Sequence, residues 1–223
     1  ISIMKHIALL TTLLLSASLQ AVEKPYDYVF FENSLMKGDY FYSQAKYTSP
    51  SWIKNARHHL PVAGSVAFTP GNSLELTYVS APGGDWYSEI QYCPVRGNDF
   101  FPEPSTLSMQ VRLRESMNAA ALPNIAIRYA DSTYTQYLNL RNYLKDTRPG
   151  VWHPVSIPLE DFGLNAVNDT NIKKLAAVAL RPGTADGNEY TIYLDDIELL
   201  PASLPSVSAL NAPVLQEAKA YER

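Results

Sequence analysis

Cysteine is nearly absent from this chain. Cys93 stands alone in 223 residues, which excludes an internal disulfide and a cysteine-built zinc site. Histidine is scarce as well, limited to His6, His58, His59 and His153. Charged residues make up 18% of the chain and sum to a net charge of −4, with no Lys/Arg block. That balance excludes nucleic acid as a partner. No apolar run approaches the roughly 20 residues that a membrane-crossing helix needs. A Walker loop, G-x-G-x-x-G and G-x-S-x-G are all missing, so nucleotide binding and a hydrolase elbow have no sequence support. Also missing is any long segment with a helical period. What is present is apolar and aromatic: 46% hydrophobic residues, 15 Tyr, 7 Phe and 3 Trp. That composition argues against disorder. A chain of this length buries about 70% of its unfolded surface without disulfide staples.

The first segment reads as an address. From Met4, one Lys is followed by the apolar run Ile7 to Leu15, then small and polar residues up to Ala21. This is the order of a secretory signal, with cleavage expected after Ala21. The exported chain would begin at Val22, and a lone Cys suits a secreted protein that does not rely on disulfides. After Leu200 the composition shifts to Pro, Ser and Ala, which reads as a linker over residues 202–223.

Between these segments the signal is period-two alternation broken by turn residues. Leu107, Met109, Val111 and Leu113 alternate with Ser108, Gln110, Arg112 and Arg114. Ile125, Ile127 and Tyr129 alternate with Ala126 and Arg128, and Val155, Ile157 and Leu159 share a side. Further strands are expected over 26–31, 40–47, 66–69, 73–79, 86–92, 133–140, 175–180 and 190–200. Turn signals such as Pro70-Gly71-Asn72, Pro82-Gly83-Gly84 and Asp186-Gly187-Asn188 separate them. About ten strands with regular turns imply an all-β sandwich or jelly roll of two antiparallel sheets.

No catalytic constellation stands out. The pair His58-His59 lacks the i, i+4 spacing of a zinc-binding helix and reads as a solvated loop. His153, beside Trp152 in a strand, reads as structural. Glycoside hydrolysis needs two carboxylates about 5–10 Å apart. Asp195 and Asp196 are adjacent in a strand and point to opposite faces, so they cannot converge on one bond. Glu32, Glu89 and Glu103 are scattered.

Three stretches carry a resemblance: Tyr28-Val29-Phe30-Phe31-Glu32-Asn33, Trp152-His153-Pro154-Val155-Ser156-Ile157-Pro158-Leu159-Glu160-Asp161-Phe162, and Tyr190-Thr191-Ile192-Tyr193-Leu194-Asp195-Asp196-Ile197. Together they resemble the galactose-binding-like jelly rolls of carbohydrate-binding modules. The middle, from Tyr40-Phe41-Tyr42-Ser43 through Ser49-Pro50-Ser51-Trp52 to Thr69-Pro70-Gly71-Asn72-Ser73-Leu74, looks like the N-terminal domain of a narrower group. In those secreted Gram-negative proteins such a domain precedes a fibronectin-III-like segment and a glucoamylase-like (α/α)-barrel, and some of the barrels act on β-1,2-glucans. The resemblance covers about residues 26–200, and the tail from Ala212 looks like the entry strand of the fibronectin-type segment.

The resemblance implies a domain over 22–201 that is not an enzyme. It would bind a polysaccharide or oligosaccharide, with a glucan favoured, and precede a catalytic domain in the same polypeptide. The setting would be periplasmic or extracellular. Two alternatives stay open: a structural spacer packing on that catalytic domain with no ligand, and a stand-alone jelly-roll lyase or hydrolase. Sugar binding needs flat apolar surface ringed by polar groups. Tyr87, Glu89 and Gln91 on one strand face, with Arg112, Arg128, Tyr137, Asn139 and Arg141 opposite the expected core positions, are the expected lining. Trp52 is a candidate loop platform or a plug for one end of the sandwich. Many related modules hold one structural calcium ion near their first and last strands. Glu32 with Asp195 or Asp196 matches its ligands in residue type. If Ile192 and Leu194 face the core, alternation puts Asp196 inside with them.

Overall fold

The computed structural model describes residues 28–93, 104–165 and 174–201. The expected signal segment, the 202–223 linker and Glu103 lie outside the described residues. Thirteen strands run through them: β1 (Tyr28–Phe31), β2 (Asp39–Tyr40), β3 (Ser43–Thr48), β4 (Trp52–Ile53), β5 (Leu60–Ala63), β6 (Ser73–Val79), β7 (Asp85–Gln91), β8 (Pro104–Leu113), β9 (Asn124–Tyr129), β10 (Leu138–Asn139), β11 (Trp152–Pro158), β12 (Leu175–Arg181) and β13 (Glu189–Pro201). Helical structure among the described residues is limited to short 3-10 turns.

The strands form two antiparallel sheets. The larger, of eight strands, runs β11-β8-β13-β6-β5-β2, with β1 beside β13 and β4 beside β6. The smaller runs β10-β9-β12-β7-β3. Their inner faces are the expected alternating positions. Leu107, Met109, Val111 and Leu113 from β8 meet Ile125 and Ile127 from β9, and all six are fully or almost fully buried. Leu74, Leu76, Tyr78, Val155, Ile157, Val178, Leu180, Ile192 and Leu194 complete the layer. Burying these side chains is the main stabilising term, about 1.5–3 kcal/mol for each large apolar group. The buried aromatics also satisfy their polar tips. The Tyr78 hydroxyl donates to the Ala121 carbonyl at 3.0 Å, and the Trp86 indole N–H donates to Ser80 Oγ at 2.9 Å.

Three expectations are corrected. Residues 66–69 form no strand; they belong to a loop laid across the larger sheet. Only Leu138–Asn139 of the 133–140 stretch is regular strand. On β13 a bulge between Asp195 and Glu198 breaks the alternation. Asp196 takes the bulge position at φ 46°, and Ile197 and Leu199 return to the core. The fully buried acid is therefore Asp195, which lies on the outer side beneath the 66–69 loop. A bulge is one extra residue, and it shifts every later side chain to the opposite parity.

Gly84, between β6 and β7, shows how tightly the two sheets meet at one end. A Cβ there would lie 2.2 Å from the Ser51 nitrogen and 2.7 Å from the Thr48 carbonyl. Only glycine lets the β6–β7 turn pass the β3–β4 turn at that distance.

Candidate functional site

The outer face of the smaller sheet holds an unusual set of side chains. Its centre is small: Ala177 and Ala179 on β12 and Ala126 on β9. Register sets Glu89 of β7 against Ala179, and Gln44 of β3 against Glu89. Glu89 is 1% exposed. A buried carboxylate needs partners, and Arg128 Nε and Gln44 Nε2 donate to its two oxygens. The acid and its guanidinium thus form a neutral floor in which Glu89 is almost wholly shielded and Arg128 nearly so.

Tyr87 stands beside this floor with its ring covered by cations. Lys46 Nζ lies 4.9 Å from the ring centroid and the Arg181 guanidinium 5.5 Å. Burial, and then its hydroxyl's contact with Glu89, push the Tyr87 phenol well above the usual tyrosine range. Its hydroxyl also lies 3.1 Å from the Tyr134 hydroxyl. Tyr134 in turn stacks near Tyr137, with centroids 6.0 Å apart and planes 27° apart. Arg181 lies over Tyr137 as well, at 5.7 Å. The Tyr137 hydroxyl is buried, with the Arg181 guanidinium beside it.

Local chemistry explains how Tyr134 reaches this face. Asp131 Oδ1 accepts from the Thr133 N–H and hydroxyl at 2.9 and 2.6 Å, and Ser132 turns at φ 69°. This side-chain-capped turn folds the chain back along the edge of β9 that also carries β10. Thr135 N–H donates to the Ile127 carbonyl at 3.0 Å, while Thr135 Oγ1 accepts from Ile127 N–H at 2.9 Å. A hydroxyl replaces one ladder carbonyl, so the segment follows β9 without becoming a regular strand. The bridge between Arg128 and Tyr134 puts their side chains together on the outer face.

Of the residues expected to bind carbohydrate, the structure brings together Tyr87, Glu89, Gln91, Arg128 and Tyr137. Trp52 and Arg112 sit elsewhere: β4 and β8 both belong to the larger sheet. Trp52 pairs with Val79 there. Asn139 lies at the margin with its amide committed, donating to the Leu122 carbonyl and accepting from Arg141 N–H. Arg141 is exposed on the adjoining 3-10 turn. Gln44, Lys46, Tyr134 and Arg181 were not anticipated. Alternation on β3 and β12 carried a signal for Gln44, Lys46 and Arg181; Tyr134 carried none, because its segment is irregular.

The two aspartates expected around calcium both accept hydrogen bonds from within the chain. Asp195 Oδ2 accepts from the N–H groups of Phe68 and Thr69 at 2.7 and 3.2 Å, and its Oδ1 accepts from Asp196 N–H at 2.9 Å. Asp196 Oδ2 accepts from the Thr69 hydroxyl at 2.6 Å. Among the described residues, no group of three or more His, Cys, Asp or Glu side chains is placed to hold a metal ion. A cation at Asp195 and Asp196 would have to compete with these donors. Burial, and then the neighbouring Asp196 charge, outweigh the amide donors and raise the Asp195 pKa to about 6.

The model of the family described as Carbohydrate binding domain 30 matches residues 27–200. The chain belongs to this family. It is a non-catalytic carbohydrate-binding module with a β-sandwich fold. The module is similar to a family 30 carbohydrate-binding module of a cellulosomal cellulase of Clostridium thermocellum, with 16% identity and a TM-score of 0.55 over 80% of this chain and 99% of that one. It is similar to a family 11 carbohydrate-binding module of Clostridium thermocellum, solved with a β-1,3-1,4-mixed-linked tetrasaccharide, with 14% identity and a TM-score of 0.51 over 79% and 95% of the two chains. At those identities the likeness is one of fold. It is also similar to a β-1,2-glucanase from Parabacteroides distasonis, with 99% identity and a TM-score of 0.79 over 83% of this chain. The module spans only 26% of that glucanase chain.

Proposed function

We propose that the outer face of the smaller sheet binds a single soluble β-glucan chain. On this reading the module is the front part of a longer exported protein acting on β-1,2-glucans. The observation that carries the proposal is the exposed Tyr134 ring beside Tyr137, flanked by Lys46 and Arg181 and set on the Glu89–Arg128 floor. Tyr134 offers an apolar surface to the CH face of a sugar ring. Lys46, Arg181 and Gln91 supply hydrogen-bonding groups around it. Trp86 is buried in the core, while Trp52 and Trp152 lie on the larger sheet. Without a coplanar indole strip, the face suits a lone chain better than a flat crystalline surface.

Bound this way, the module would hold substrate near a catalytic domain by raising its effective concentration. The segment Met4 to Ala21 supports the exported reading, and mass spectrometry of a mature protein beginning at Val22 checks it. The binding reading is tested by calorimetry with β-1,2-, β-1,3- and α-glucans. Saturable binding that weakens about tenfold or more in Tyr134→Ala and Tyr137→Ala supports this face. Binding left unchanged by both substitutions, or none to any glucan by a folded module, rejects it.

A further inference from the structure

The opposite outer face, on the larger sheet, carries an apolar patch with a construction of its own. Trp152 of β11, Arg112 of β8 and Tyr193 of β13 are direct cross-strand neighbours in one row. Phe68, 41% exposed, meets Trp152 edge-on, with centroids 6.0 Å apart and planes at 70°. Val151, 43% exposed, adjoins the row. Phe68 is held in place from below. The buried Asp195 carboxylate accepts its backbone N–H at 2.7 Å, and Thr69 is tied to both Asp195 and Asp196. Ser73 Oγ anchors the same loop at the Val66 carbonyl. A fully buried acid thus fixes the backbone of a loop whose tip presents a large apolar side chain to the exterior. Arg112, between two aromatic rings, forms no ion pair among the described residues.

We propose that the Phe68–Trp152–Arg112–Tyr193 face docks against the remainder of the longer polypeptide, through an apolar recess bordered by a carboxylate that pairs with Arg112. The inference rests on the reading that the module is the front part of such a polypeptide. Chain path favours this occupant. The first and last strands, β1 and β13, are paired neighbours in this sheet, and β13 runs beneath the patch before ending at Pro201. The smaller sheet carries neither the first nor the last described strand. The 99%-identical glucanase is about four times as long as the matched part, so most of such a polypeptide lies beyond this module. A glycan is the weaker occupant, because the edge-on ring pair offers no flat platform and Phe68 has no hydroxyl. An exposed Phe68 with half-buried aromatics around a central Arg is instead the usual kind of anchor of a protein interface. With the glucan face on the smaller sheet, the sandwich would point substrate and enzyme to opposite sides.

Hydrogen exchange compares the 223-residue chain with the full-length polypeptide. The docking face predicts exchange slowed by about tenfold or more at residues 64–72 and 151–156 when the remainder is present. Phe68→Asp and Arg112→Glu should each abolish that protection, while Tyr134→Ala, on the other face, leaves it intact. The melting of each variant in the 223-residue chain reports whether it still folds. Equal exchange in both forms overturns the proposal. So does protection in the short chain that grows with its concentration, which signals a second copy, or protection that follows added glucan. A native protein whose mass shows no further domain overturns the front-part reading and the docking together. Glucan affinity, read in the same samples, bears on the smaller sheet alone.

Discussion

The two outer faces of the sandwich each hide a carboxylate, and they neutralise it differently. On the smaller sheet Glu89 is met by a cation, Arg128, and an amide, Gln44, on neighbouring strands. On the larger sheet Asp195 is met only by backbone N–H groups, two of them from the 66–69 loop. The first arrangement sets charged side chains into a floor and leaves polar, aromatic groups above it. The second uses dipoles to strap a loop down and leaves an apolar tip outside. A side-chain ion pair suits a surface that exchanges hydrogen bonds with hydroxyls. A backbone strap suits a surface whose shape must stay fixed.

The largest expected effect breaks the first arrangement. Arg128→Met leaves Glu89 buried without its cation, and removing one partner of a buried ion pair costs about 3–5 kcal/mol. Urea denaturation should show that loss. The double variant Arg128→Met with Glu89→Leu should recover most of it. A single-variant loss below about 1 kcal/mol, the range of surface pairs, would mean the pair is not shielded as described.

The second arrangement should appear as a pH dependence. Asp195 titrates at about 6 in the folded chain against an ordinary 3.8. Between those values the native state holds a proton that the unfolded chain has released. Its contribution is therefore complete below the unfolded value and is lost as pH rises through about 6. Two units correspond to roughly 2–3 kcal/mol. Asp195→Asn should flatten this decline, read as the difference between wild-type and variant stability from pH 4 to 7. Parallel curves would show that the backbone donors hold the Asp195 charge without penalty.

Smaller effects sharpen the contrast. Tyr134→Ala should weaken glucan binding about tenfold, or 1.4 kcal/mol, with the melting temperature nearly unchanged. A large fall in melting temperature would make Tyr134 part of the scaffold. The smallest effect is that of a chelator. With Asp195 held by backbone N–H groups and Asp196 by the Thr69 hydroxyl, it should leave the melting temperature where it was. A drop of several degrees would restore a structural calcium ion near Glu32, Asp195 and Asp196.

Alternation along single strands determined a good deal by itself. It named the core side of β8, β9 and β11, because side chains in a strand point alternately to opposite faces. The turn residues then separated enough short strands to leave a two-sheet sandwich as the economical way to bury those faces. Motifs near the first, eleventh and last strands pointed to a carbohydrate-binding module. Parity, however, says only that a residue faces outward, not from which sheet. Arg112 and Arg128 look alike in sequence, yet β8 and β9 lie in different sheets, so one arginine joins the candidate face and the other the opposite patch. Trp52 likewise lies on the larger sheet, which parity does not reveal. On β13 a single bulge exchanged the fates of Asp195 and Asp196. Tyr134 depended on a side-chain-capped turn and an irregular edge segment that carry no period. Sheet membership, bulges and edge pairing are decided by long-range hydrogen bonding and packing between distant segments, and only the tertiary structure records them.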